Sequence, residues 1–138
     1  MSWTTPKTNW VASDTFDYRD YNRIVGNLIE INALANKMFR VITIPVMVAD
    51  ADAESMKSTA RYLNEIEQAL TTVNVNTYAY NIGEQQTFYP NRPFIQWDEL
   101  NRIESAILRL KTQLDIDYAI TSSLEFVLGR GRDYGTRQ

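Results

Sequence analysis

Phe16-Asp17-Tyr18-Arg19-Asp20-Tyr21-Asn22-Arg23-Ile24 opens a stretch, residues 16–39, that reads FDYRDYNRIVGNLIEINALANKMF. Within it Tyr21, Ile24, Leu28, Ile31, Ala35 and Met38 recur at spacings of three and four, one side of an α-helix. Leu34 and Phe39 widen the stripe near its end. Asp17 stands where a helix needs an N-cap, because its carboxylate accepts from the free N–H groups of the first turn. Phe16 and Tyr21 then occupy the two positions of a hydrophobic staple. The reading is a helix over residues 17–39.

Two further stretches repeat this pattern. Met56, Ala60, Leu63, Ile66, Leu70 and Val73 follow the acidic run Asp50-Ala51-Asp52-Ala53-Glu54, which suits the positive end of a helix dipole. Leu100, Ile103, Ile107, Leu110 and Leu114 mark a third helix over 97–114, with Ile95 and Leu100 as its staple and Gln96 at its cap. The three share a short repeat: Tyr21-Asn22-Arg23-Ile24, Leu63-Asn64-Glu65-Ile66 and Leu100-Asn101-Arg102-Ile103. The second and third continue it as Leu-Asn-Xaa-Ile-Glu-Xaa-Ala. Asn is a poor residue inside a helix, since its amide competes for backbone hydrogen bonds. Its recurrence beside the apolar stripe suggests that each Asn bonds a neighbouring loop or helix end. Asp20 before Arg23, and Asp98 and Glu99 before Arg102, make ordinary helix-surface ion pairs available.

The expected fold is mainly α, a bundle of three long helices with antiparallel neighbours. A single domain spans 1–138, with an extended N-terminal arm over 1–14, a helical core over 15–128 and a flexible C-terminal tail over 129–138. Val41-Ile42-Thr43-Ile44-Pro45-Val46-Met47-Val48 reads as an edge strand or a buried extended connection. The Tyr-, Asn- and Pro-rich segment 74–94 reads as turns, with room for a short hairpin. Residues from Asp115 to Val127 read as a helix exit followed by one more short helix or strand. Ile24, Leu28, Leu63, Ile66, Ile103 and Ile107 are the expected core.

Composition narrows the chemistry. The 138 residues include no Cys and no His, which excludes a disulfide scaffold, thiol catalysis and imidazole-based acid–base or zinc chemistry. A net charge of −3 argues against general binding to a phosphate backbone. No run approaches the roughly 20 apolar residues that span a bilayer, and MSWTTPKTNW does not read as a signal peptide.

Asp14, Asp17 and Asp20 are candidate oxygen ligands, but capping explains them more simply. Asp50, Asp52 and Glu54 alternate like a Ca²⁺ loop yet lack its Gly and its twelfth-position Glu. Gly129-Arg130-Gly131-Arg132 has no phosphate-loop context. No catalytic, cofactor-binding or metal residues are therefore assigned, and no cofactor or small-molecule substrate. The Arg-, Gly- and Tyr-containing tail reads first as a docking terminus. Its second reading, an adaptor segment for a nucleic acid or a host protein, stays open. Trp3 and Trp10 have no partner within their own segment, so they pack either on the chain's own helices or against another chain; the arm that carries them and the C-terminal tail are expected to be contact elements in assembly, with Trp3 having the better claim to a partner.

Thr5-Pro6-Lys7-Thr8-Asn9-Trp10, followed by Asp14, Phe16, Tyr18, Asp20-Tyr21-Asn22-Arg23-Ile24 and Asn27-Leu28, resembles a pattern in small structural proteins of tailed phages and prophages of Gram-positive bacteria. Trp97-Asp98-Glu99-Leu100-Asn101-Arg102-Ile103-Glu104 is similar to a second copy. In such proteins the pattern opens a chain of the tail tip or baseplate. The resemblance covers about 25 residues at the start and about ten near position 100. It implies a non-enzymatic virion component, made in the host cytoplasm, whose partners are itself and other virion proteins.

Overall fold

The computed structural model describes residues 3–39, 42–45, 47, 59–89 and 97–134, the last 13 of these as helical backbone. Three helices form it: α1 (Tyr18–Met38), α2 (Thr59–Val75) and α3 (Trp97–Tyr134). Among the described residues there is no strand, and 42–45 and 79–89 are irregular. Of the two readings of the 41–48 segment, the buried connection holds where the chain is described: Ile42 and Met47 are buried, and the Ile42 N–H donates to Asn36 Oδ1 at 2.7 Å. No hairpin forms in the part of 74–94 that is described. The acidic run 50–54, Met56, Ile95 and Gln96 lie outside the described residues.

Helix α1 starts as its sequence predicts. The Asp17 side chain accepts from the N–H groups of Arg19 and Asp20, while Asp20 accepts from the Asp17 N–H, a reciprocal capping box. The stripe from Tyr21 to Ala35 is buried throughout. All three helices pack on one another, and one core lies between them. It includes each of the six residues expected there: Ile24, Leu28, Leu63, Ile66, Ile103 and Ile107 are at most 3% exposed.

The helices are parallel, not antiparallel. Near their starts Tyr21 of α1 packs at 5.6 Å against Tyr62 of α2, the rings tilted by 42°, and Arg23 of α1 bonds Glu104 of α3. Near their ends Phe39 meets Tyr78 at 5.5 Å, and the Tyr78 hydroxyl donates to Asp117 of α3. Connection length explains the departure. Antiparallel bundle helices are typically joined by about two to eight residues, whereas residues 39–58 and 76–96 separate these. At about 3.3 Å per extended residue, either connection is long enough to return the chain to the starting end.

Helix α3 also differs from expectation. It does not exit near Asp115 but runs on through Gly129 and Gly131 to Tyr134, 38 residues in all. It therefore takes in most of the expected tail.

If the helices are parallel, the ends of α1 and α2 are neighbours. Spin labels on a Phe39→Cys/Val75→Cys variant should give a shorter distance than labels on Phe39→Cys/Arg61→Cys; the chain's lack of cysteine makes both pairs specific. In the core, Leu70→Ala should lower unfolding free energy in urea by about 2–5 kcal/mol.

Candidate functional site

Two extended segments lie along the bundle against the direction of the helices. The N-terminal arm has Thr4 level with Asn27 of α1, and Trp10 level with Asn101 of α3. The segment before α3 has Tyr80 level with Asn74 and Phe88 level with Asn64 of α2. Such segments carry backbone groups that need partners. Asn side chains supply them.

Each of these Asn amides grips one extended residue by both of its backbone groups. The Trp10 N–H donates to Asn101 Oδ1 at 2.7 Å, and Asn101 Nδ2 donates back to the Trp10 carbonyl at 2.9 Å. Asn64 holds Phe88 in the same way at 2.8 and 2.9 Å. Asn27 holds Thr4 at 2.9 and 2.7 Å, and Asn74 holds Tyr80 at 3.0 and 2.8 Å. Asn64 and Asn101 are two of the three repeat asparagines, and the expectation that they bond neighbouring loops holds. Asn22, the third, is also engaged.

The arm is locked further by Glu104, which is fully buried. Its carboxylate accepts from the Lys7 N–H at 3.0 Å, Trp10 Nε1 at 2.7 Å, and Arg23 Nε and Nη2 at 2.8 and 2.6 Å. Arg23 also bonds Asp20 at 2.9 Å, the helix-surface pair expected from the sequence. Trp10 is 2% exposed, beneath Lys7 Nζ at 4.3 Å from the ring centre. Trp3 is partly buried against the core, with Lys111 at 5.0 Å. Both Trp thus take the first of their two options, packing on the chain's own helices.

The same joint recurs one helix on. Arg102 of α3 pairs with Glu99, as expected, and with the buried Glu67 of α2. Glu67 and Glu104 hold the same place in the repeat Leu-Asn-Xaa-Ile-Glu. Burial pushes the Glu67 carboxyl above its ordinary value, against the opposing pull of Arg102. Gly83 passes close to this pair with φ +86°, and a Cβ there would sit 2.5 Å from Arg102 Cδ. Only Gly suits both constraints.

Arg23 and Arg102 were legible as surface pairs, but their buried partners were not anticipated. The available signal was a Glu directly after a core Ile in two of the three repeats.

The remaining candidates are engaged locally. Asp14 closes a turn with the Val11 N–H at 2.9 Å and pairs with Lys7 at 3.2 Å; both hold its carboxyl below the usual range. Asp17 caps α1 and bonds Arg19, which lowers it likewise. Asp115 pairs with Lys111, and Asp117 accepts from Tyr78 at 2.6 Å. A shallow cleft of about 270 Å³ lies between 81–83 and α3. Its two cations are already bonded, Arg102 to carboxylates and Arg109 over the Tyr80 ring at 3.7 Å. This architecture fastens the arm and the second segment to the helices. In comparisons with protein-family models, curated proteins and solved structures, nothing matches the chain.

Removing Glu104 should strand the Trp10 indole N–H and leave the Arg23 guanidinium with Asp20 as its carboxylate partner. Glu104→Ala is expected to cost about 3–5 kcal/mol in urea unfolding, with a red shift of Trp fluorescence as the arm lifts. The two kinds of carboxylate should also respond oppositely to acid. Glu67 is raised when folded, so its contribution to stability is present below its unfolded value near 4.5 and is lost as pH rises through the higher folded value. Asp17 is lowered, so its contribution is present above 3.8 and is lost as pH falls through the folded value below that. In urea titrations Glu67→Gln should remove the first dependence and leave the acid-side loss intact.

Proposed function

We propose that this chain is a non-enzymatic structural component of a tailed-phage virion, acting in the tail or baseplate region through contacts with itself and other virion proteins. One observation carries this reading. The residues that make the chain resemble such proteins are the ones that fasten its arm: Lys7 and Trp10 from the first segment, Arg23 and Asn27 from the first motif, Asn101 and Glu104 from its second copy. A motif whose side chains bond one another and the backbone of the arm across the fold is an architectural motif. Its polar groups are engaged in holding shape, as an assembly component requires.

The test is physical association. Particles purified after prophage induction in the encoding bacterium should contain the chain, by quantitative mass spectrometry, at a constant ratio to other tail proteins. Finding it only in the soluble fraction, with intact particles lacking it, overturns the proposal.

A further inference from the structure

The joints that fasten the two extended segments use the same repeat positions. Asn64 and Glu67 of α2 hold Phe88 and Arg102, and Asn101 and Glu104 of α3 hold Trp10 and Arg23. In both, the helix supplying Asn and Glu grips an extended segment and the Arg of the helix that this segment leads into. Phe88 stands 13 positions before Asn101, and Trp10 stands 12 before Asn22. The order along the chain differs. α2 comes directly before the segment and helix that it holds, with Asn64 and Phe88 only 24 positions apart. α3 holds a segment and helix from far back in the sequence, with Asn101 and Trp10 91 apart and Glu104 and Lys7 97 apart. Sequence order makes the first joint a contact between neighbours. It does not require that the second be made within one chain.

We propose that the groove between α1 and α3 also receives the arm, residues 3–10, of a second copy, by exchange. Two arguments select this occupant. The first is chemistry. The groove reads the arm through Asn27 and Asn101 on the backbone of Thr4 and Trp10, and through Glu104 on the Lys7 N–H and the Trp10 indole N–H. Lys111 lies over the Trp3 ring. Each of these groups belongs to α1 or α3, so the arm of another copy makes every bond that the chain's own arm makes.

The second is the hinge. The Trp10 and Phe16 rings are 6.0 Å apart, so the chain doubles back between them. None of residues 11–15 is buried, and Val11 is 51% exposed. Val11 and Asp14 close the turn with two bonds of 2.9 Å, and Lys7 pairs with Asp14 at 3.2 Å. Surface contacts of this kind contribute little. Straightened, residues 11–17 span about 23 Å at about 3.3 Å per residue, and the arm reaches outward with its groove contacts unspent. Exchange of an identical element is a low-cost route to association. In the closed chain the tether holds the arm at an effective concentration on the order of mM. Exchange therefore grows with protein concentration and is favoured where copies are held side by side. The proposal rests on the self-assembly in the virion role and names its contact, yet it is read in solution without particles, so the two fail separately.

The experiment has two arms. Full-length Thr4→Cys and Glu30→Cys chains, the second thiol one turn beyond Asn27, are mixed and treated with a short bismaleimide; the chain has no other cysteine. The cross-linked heterodimer should increase with concentration, and adding Trp10→Ala to the Thr4→Cys chain should lower its yield about tenfold or more. Separately, deleting residues 11–14 leaves one residue between Trp10 and Phe16 where the reversal uses five. This variant should be a dimer or larger by sedimentation equilibrium, with helical circular dichroism and the Trp emission of the intact chain. Cross-linking indifferent to Trp10→Ala overturns the proposal, and so does a folded, monomeric deletion variant. If the deletion variant does not fold, the full-length cross-linking decides by itself.

Discussion

A backbone laid along a helix bundle without a sheet must find partners for its N–H and C=O groups, and this constraint governs the molecule. A buried backbone group left unbonded costs as much as a lost hydrogen bond or more. Strands solve the problem with other strands. Here the side-chain amide of Asn, carrying one donor and one acceptor at the spacing of a peptide unit, takes the place of the neighbouring strand. The four clamps at Asn27, Asn64, Asn74 and Asn101 hold the arm and the 79–89 segment in this way. They offset the poor helix propensity of Asn at those positions, about half a kcal/mol or more each relative to Ala.

The parallel arrangement of the helices follows from the same economy of partners. Parallel helices joined in sequence require the chain to return along their length, and a returning chain needs something to bond. With its clamps in place, the described part of the second connection, residues 79–89, becomes part of the fold. Before α1 and before α3 the described chain is an extended segment followed by a helix, and the joint recurs there: Asn clamps on the segment, and an Arg–Glu pair between helices. Arg23 reaches Glu104, and Arg102 reaches Glu67. The second repeat departs from the pattern, carrying Glu65 where the others have Arg. Burying these pairs is costly in desolvation and contributes little net stability against an apolar alternative. What they add is selection, since a charged pair tolerates only the helix register that satisfies it.

Helix α3 shows how one element is divided between two environments. Its first half belongs to the bundle, and its apolar stripe is the third wall of the core. Past Leu114 the stripe changes sides, at the level where the other helices end. The reversal hides the helix from a reading that follows one face, which is why an exit near Asp115 looked natural. The backbone continues because nothing in that segment forbids it. Gly weakens a helix without breaking it, unlike Pro, and no Pro lies beyond Pro93.

Local physics made much of this legible in the sequence. Helix periodicity, the Asp17 cap and the i,i+3 ion pairs depend only on residues a turn apart, and α1, the core of α2 and the first half of α3 follow from them. The six predicted core residues are buried for the same reason. The recurrent Asn also announced itself, because its cost inside a helix demands a compensating bond. Helix direction, the identity of each clamped residue and the burial of Glu67 and Glu104 belong to the tertiary structure. Lys7 and Glu104 are 97 positions apart in sequence, and no periodicity relates them. Only packing sets which distant donors converge on a carboxylate, and only that convergence makes the burial of its charge tolerable.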